Sequence, residues 1–472
     1  MGANTMGANN SFSGGLAALV QGLGAIPHSA DPSTLVEKSR DYFWFSPILK
    51  EELEGLTADL VVTPRTQEEV IRVASLCARH RIPITARGMG TGNFGQAVPL
   101  AGGVVLDMTG LNRMLWVKGA VARAEGGILV EDFDKACRAH GWEMRMHPST
   151  KRFATMAGYM SGGHAGIGSV NYGILRDRGN ILGFKLVTIE ENPRVLEIRG
   201  EEVSTVHHAY GVNGIILEVE LPLAPAHEWR DVIIEFADLP RAARFGWDLA
   251  VSDGIGKKLV APIAGELARH FHAIKSHYTE GAPIAICMVA AHSMEALADL
   301  VREHGGKIVF DHPEGSYQDT PLYEFTWGHT TLQVLKDDPS VTYLIAIFRG
   351  ADPLEQVRAV HEKYRDSVFL HLELKRINGQ MAVEGLPVFH FESRAQVERI
   401  AHEWEEMGVK IANPHTYFLQ NGGMHKIDEA QISFKQATDP HGLMNPGKVA
   451  GLDEIDGAPG GAAQMRASGW AY

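Results

Sequence analysis

At 472 residues the chain is too long for one ordinary core, so two or three domains are expected. Its formal net charge of −13 argues against nucleic acid or an anionic membrane surface as a partner, because phosphate binding needs a basic face. With 45% hydrophobic and 21% charged residues it reads as a soluble globular protein. Three cysteines, Cys77, Cys137 and Cys287, provide neither a disulfide framework nor metal-ligand spacing, which points to a reducing, cytoplasmic compartment.

Residues 1–45 read as a leader followed by a helical segment. The stretch Gly15 to Pro27 is mildly apolar, but the first basic residue is Lys38, so it lacks the charged start of a signal peptide. No uninterrupted apolar run of about 18 residues suits a membrane span. From Leu60 short strands and helices alternate. Leu60–Val62 is a strand, and Thr66 caps a helix over 67–80 whose apolar face is Val70, Val73, Ala74 and Cys77. Strands are expected at 82–86, 103–107, 114–118, 120–125, 182–189, 194–199 and 214–223, with a helix at 129–140. These make an α+β unit over 46–226. Between 227 and 426 strands at 231–236, 284–290, 307–310, 341–348, 368–374 and 386–390 alternate with helices at 238–251, 294–304, 353–364 and 393–407. That pattern predicts an inserted α+β cap of antiparallel sheet backed by helices. A last helix, 427–437, returns the chain to the first unit over 427–452, and 453–472 reads as a flexible tail.

The 51 glycines exceed the usual share of about 7% and cluster at 86–103, 158–183 and 421–423. After the strand at 82–86 comes RGMGTGNFG (87–95), too rich in glycine for a helix and too long for a hairpin turn. Such a loop is either a flexible surface connection or a backbone cradle for an anion. The next segment, 147–183, alternates Gly158, Gly162, Gly163, Gly166, Gly168 and Gly173 with small residues, so a long backbone stretch can lie against a planar ligand. A third, Tyr210 to Ile216, places glycines before an aliphatic strand. No GxGxxG with Rossmann spacing occurs, and the loop at 87–95 does not open a helix.

The ordered set PRTQEEV (64–70), RGMGTGNFG (87–95), HPST (147–150), GYMSGGHAGIGSVNYG (158–173), YGVNGIILEVELPL (210–223) and DPHGLMNPGKV (439–449) resembles the FAD-linked oxidases of the vanillyl-alcohol oxidase and p-cresol methylhydroxylase superfamily. The resemblance covers about residues 55–225 and 428–450. It implies a PCMH-type FAD-binding domain of two α+β subdomains, with FAD as the cofactor. It assigns Arg87, Gly88, Met89, Gly90, Thr91, Gly92 and Asn93 to the pyrophosphate. Pro148, Ser149, Thr150, Thr155, Gly158, Gly163 and Gly168 would border the ribityl chain and flavin. Gly214, Ile215 and Ile216 would meet the flavin or adenine side, and Lys448 would reach in from the C-terminal segment. The first loop holds no histidine, so it does not tether the flavin. His164 lies in the second segment, where a hydrogen-bonded loop histidine is the expected reading and an approach to the flavin the alternative.

The cap would cover the flavin and supply the chemistry. It lacks the HxGDGNxH-like segment and EHG of the metal-dependent 2-hydroxy-acid oxidisers. The candidates for a proton acceptor are His329, Tyr417, His415, His371 and Glu373, in that order. Alternation places His371, Glu373 and Lys375 on one strand face, either a solvated outer face or a polar wall. Tyr323 to Thr331 mixes aromatics, a histidine and hydroxyls without lysine, which suits a pocket wall. The expected activity is oxidation of a hydroxyl-bearing small molecule, a CH–OH or phenolic alcohol, by hydride transfer to flavin without a metal. Two alternatives stand beside it: a metal-assisted lactate- or glycolate-type dehydrogenase, with His371 and His415 among its ligands, and a flavin-binding module without turnover. Oxygen, a quinone or a redox protein are all open as the electron acceptor, as is a homo-oligomer.

Overall fold

The computed structural model describes residues 13–419 and 429–449. The duplicated MGAN start, the Asn421–Gly423 glycines and the tail from 453 lie outside the described residues. Among those described, no helix is long and apolar enough to cross a membrane.

The N-terminal half builds two sheets. In the first, Leu60–Val62 and Ile84–Arg87 both run parallel to Val104–Asp107, and His28–Ser29 adds an antiparallel edge. Helix Gln67–His80 covers it: Thr66 Oγ1 accepts the Glu69 amide as cap, and Val70, Val73, Ala74 and Cys77 are fully buried. At roughly 1.5–3 kcal/mol per large apolar side chain, that stripe fixes the helix to the sheet. The apolar stretch after residue 13 becomes helix Ser13–Leu23, which buries Leu19 and Leu23 against the same helix.

The second sheet is antiparallel in the order Met114–Lys118, Val121–Glu125, Ile215–Pro225, Gly183–Val187, Val195–Arg199, with Trp142–Met144 pairing the far end of Ile215–Pro225. The segment after 429 packs back on this half. Helix Glu429–Thr438 accepts Asn213 Nδ2 on the Gln431 carbonyl, and Asn445 Nδ2 donates to the carbonyls of Gln96 and Tyr210.

The other half holds two four-stranded antiparallel sheets. One has the order Lys257–Ile263, Ile284–Ala290, Trp229–Glu235, Lys307–Pro313; the other, Leu372–Ile377, Gln380–Gly385, Ile345–Phe348, Lys410–Ala412. Helices Leu239–Val251, Pro353–Tyr364 and Arg394–Glu406 supply the apolar layer against them. Three features depart from the sequence reading. The run at 341–348 is two strands, Val341–Tyr343 and Ile345–Phe348, in different sheets. Strands Lys257–Ile263 and Gln380–Gly385 are additional. The stretch from Tyr323 to Thr331 is a 3₁₀ turn, Leu322–Phe325, leading into helix Gly328–Asp337.

Ionic contacts lock the two halves together. Glu143, buried at the end of the second sheet, accepts Lys258 Nζ (2.9 Å), Arg138 Nη2 (2.7 Å) and Trp229 Nε1 (2.9 Å). Arg152 makes a two-pronged pair with Glu324, 2.6 and 2.8 Å. The Gly168 amide donates to the Lys258 carbonyl at 2.7 Å.

Candidate active site

A long cleft runs between the glycine loop after Ile84–Arg87, the short helix Met156–Gly162 with its following turn, and the start of Ile215–Pro225. Its lining includes Arg87, Gly88, Met89, Gly90, Thr91, Gly92, Asn93, Pro148, Thr150, Thr155, Gly158, Gly163, Gly214, Ile215 and Ile216. Three of the expected contact residues stand outside it. Ser149 is buried beside it, and Gly168 spends its amide on Lys258. Lys448 is buried with its Nζ donating to the Gly95 carbonyl and standing 5.4 Å from the Tyr417 ring centre.

The cleft wall has the chemistry of an anion cradle. A Cβ on Gly88 would stand 2.0 Å from Thr155 Oγ1, and one on Gly90 (φ +66°) 2.3 Å from the Arg87 guanidinium, so both positions demand glycine. None of the main-chain amides of residues 89–93 donates to another described residue, which leaves a run of donors for an anion. Arg87 is itself buried. Its guanidinium donates to the Arg40 and Met89 carbonyls, while Nε has no partner among the described residues. Asp41 also faces the cleft. Burial pushes its carboxyl up to about 6, against the pull of Lys448 and Arg87. Open amides and a buried arginine with an unused N–H fit the diphosphate of a dinucleotide.

The inner end of the cleft opens into a smaller cavity of about 150 Å³, the two sharing Asn93, Phe94, Gly162, Ala165 and Tyr210 as walls. The other half contributes Trp327, Gly328, Tyr343, Ile345, Glu384, Leu386 and Asn413, and His164 and His208 complete the ring. Tyr343 Oη accepts a hydrogen bond from Asn93 Nδ2 at 2.8 Å, and burial holds its phenol well above the ordinary tyrosine range. Glu384 is ion-paired to Lys375, whose ammonium lies 5.9 Å from the Trp327 ring centre and which burial draws down to about 7. Three lining residues, His208, Tyr210 and Trp327, hold positive φ near +50° without being glycine. Each costs about 1–3 kcal/mol, and their concentration here is the backbone signature of a working site.

The five proton-acceptor candidates do not line either space. His371, Glu373 and Lys375 are buried rather than solvated, because the chain from Trp327 and the following helix cover that strand face. Glu373 accepts His371 Nε2 (2.8 Å) and the Trp327 amide (2.7 Å), so the pair sits behind Trp327 and props it. His329 is half-buried at the start of helix Gly328–Asp337, its ring drawn down to about 4 by burial and Lys336. His415 has both ring nitrogens engaged, by Ser46 Oγ at 2.7 Å and the Tyr343 carbonyl at 2.8 Å. Tyr417 packs on Phe418 under the glycine loop, its phenol pushed up to about 12 by burial. Among the described residues, no three His, Cys, Asp or Glu side chains converge as a metal ion requires.

Tyr343, Glu384 and His208 were not among the residues the sequence singled out. His207-His208 stands one residue before the YGVNG segment, and this closeness was a readable signal. A lone tyrosine in an apolar strand was not.

Residues 58–199 match the FAD binding domain family. The glycolate oxidase subunit GlcD of Bacillus subtilis is 26% identical over 214 residues, 43% of this chain and 44% of that protein. D-lactate dehydrogenase of Anaerostipes hadrus is 30% identical over 180 residues, 36% of this chain and 37% of that protein. The chain thus matches less than half the length of these curated relatives. A solved alkyldihydroxyacetonephosphate synthase superposes with a TM-score of 0.69 at 15% identity, covering 95% of this chain and 87% of its own, which places the two in one fold.

Proposed function

We propose that this chain, which carries an FAD-binding domain of the PCMH type, oxidises a hydroxyl-bearing small molecule, with aromatic alcohols favoured over lactate or glycolate. One observation carries the reading: the cleft built for an anionic dinucleotide opens directly into a small cavity whose walls include Phe94, Tyr210, Trp327, Tyr343, Ile345 and Leu386. About 150 Å³ is the size of cavity that accepts a benzene ring.

In this reading Arg87 and the amides of 89–93 hold the diphosphate, and Gly158, Gly163 and Ile215 border the ring system. When bound, FAD supplies the two-electron acceptor. The protein's part is to position and protect. Phe94, Trp327, Ile345 and Leu386 exclude water from the reacting carbon. Tyr343 receives its hydrogen bond from Asn93, so its own proton is available to a ligand oxygen, and its raised pKa keeps that proton in place. A small carboxylate substrate suits the cavity poorly. Among the described residues no arginine lines it, and Lys375 is already paired with Glu384, whose charge would repel a second carboxylate. His371 and Glu373 act from behind, by holding Trp327.

The test is direct. Purified protein should be yellow, acid precipitation should release the flavin into solution, and benzyl alcohol should bleach it without oxygen. Bleaching by lactate or glycolate alone, dependent on a divalent metal, would favour the hydroxy-acid reading suggested by the names of the curated relatives. No bleaching across alcohols, phenols and hydroxy acids would leave a flavin-binding module.

A further inference from the structure

Among the described residues five titratable side chains line the small cavity, His164, His208, Tyr210, Tyr343 and Glu384, and burial keeps both phenols protonated. Glu384 is held by Lys375, Tyr343 Oη accepts Asn93 Nδ2, and His208 Nδ1 is bonded to the Gly163 carbonyl at 3.0 Å. His164 differs. The residue lines the cavity, and its Nε2 is buried with no hydrogen-bond partner among the described residues. A buried ring nitrogen without a partner costs about 1–3 kcal/mol, so its persistence in a built pocket points to a ligand that satisfies it.

The position is also the right one. Gly162, Gly163 and Ala165, on either side of His164, line the cofactor cleft, while His164 itself lines the small cavity. The residue therefore stands where the two spaces meet. Its backbone is fixed there, the His164 carbonyl accepting the Leu175 amide at 2.9 Å. Its ring lies 5.9 Å from that of His208.

We propose that His164 is a catalytic residue, its Nε2 accepting first the hydrogen bond and then the proton of the substrate hydroxyl. The inference rests on the reading of the cavity as an alcohol-binding pocket. In the step, the O–H bond breaks toward Nε2 and its electron pair stays on oxygen to form the carbonyl. With FAD bound as the two-electron acceptor, the adjacent carbon would lose hydride to it, so one proton and one hydride, two electrons in all, leave the alcohol. The surroundings keep the imidazole ready to accept. Burial first, then the charge of Lys375, hold it well below the ordinary histidine range, so the ring stands neutral with a lone pair to offer. Glu384, the acid facing the same space, is occupied by Lys375.

The test uses benzyl alcohol and toluene, ligands of one shape with and without the hydroxyl; binding is titrated by tryptophan fluorescence on protein whose FAD has first been reduced with dithionite, and flavin reduction is followed separately on the oxidised protein. From wild type to His164→Leu, the preference for benzyl alcohol over toluene should fall about fivefold, the worth of one neutral hydrogen bond. Flavin reduction by benzyl alcohol should slow about 100-fold or more and recover in part with added imidazole. His164→Gln, which keeps an acceptor but no base, should retain the binding preference and still lose reduction. An unchanged preference and rate in both variants, with FAD retained, would overturn the role of His164 alone. Failure of wild-type protein to bind either ligand would overturn the alcohol-pocket reading together with it.

Discussion

Replacing Gly90 with alanine probes the cofactor cleft at its tightest point. The residue sits at φ +66°, where a Cβ costs about 1–2 kcal/mol, and that Cβ would lie 2.3 Å from the buried Arg87 guanidinium. Relief requires the loop or the Arg87 guanidinium to move, and either motion separates the arginine from the open amides of 89–93. Losing one charge-assisted amide bond to a phosphate oxygen is worth about 1.5–3 kcal/mol, so the FAD dissociation constant should rise roughly 10- to 100-fold. Gly119→Ala is the control. Gly119 also has positive φ (+57°) but nothing lies within 4 Å of its would-be Cβ, so it carries the strain without the displacement. Titration of flavin-stripped protein with FAD, followed by flavin fluorescence, measures both. If Gly90→Ala binds FAD within twofold of wild type, or Gly119→Ala weakens it equally, the loop does not hold the cofactor.

The remaining predictions concern the frame and the pocket. Lys258→Met leaves buried Glu143 with Arg138, Trp229 and the His227 amide and should destabilise the fold by about 3 kcal/mol in denaturant unfolding. Asp231 is buried with its Oδ2 accepting the Gly315 and Leu322 amides and its Oδ1 without a partner, and burial pushes its carboxyl up to about 7. The native state therefore keeps a proton the unfolded chain has lost, and stability falls as pH rises from about 4 to 7. Asp231→Asn should match wild type near pH 4 and be more stable at pH 8, by up to about 4 kcal/mol; parallel stability curves would refute this. Tyr343→Phe removes the phenol that joins Asn93 to the cavity and should weaken benzyl alcohol binding about fivefold while leaving FAD occupancy intact.

How much of this was legible in the sequence follows from how local each feature is. The Thr66 cap, the buried face of the helix after it and the glycine loop are short-range statements, and chain order alone carried them. The cavity is non-local, since its walls come from residues between 93 and 413. Its acid is placed by a hairpin that the sequence does announce: Asn378-Gly379, both at positive φ, turn strand Leu372–Ile377 into Gln380–Gly385. Reading that turn pairs Glu373 with Glu384 and sets Lys375 on the diagonal to Glu384, burying a charge cluster that simple alternation leaves open to solvent. His164 was visible as a residue, but its missing partner is a property of the folded surroundings.

The central claim is an FAD-dependent alcohol oxidation in an apolar pocket, and anaerobic titration of the yellow protein measures it most directly. Benzyl alcohol should bleach the flavin band fully with one equivalent of aldehyde formed per FAD, and lactate and glycolate should not. A flavin that stays oxidised with benzyl alcohol, or that lactate reduces instead, would contradict the account.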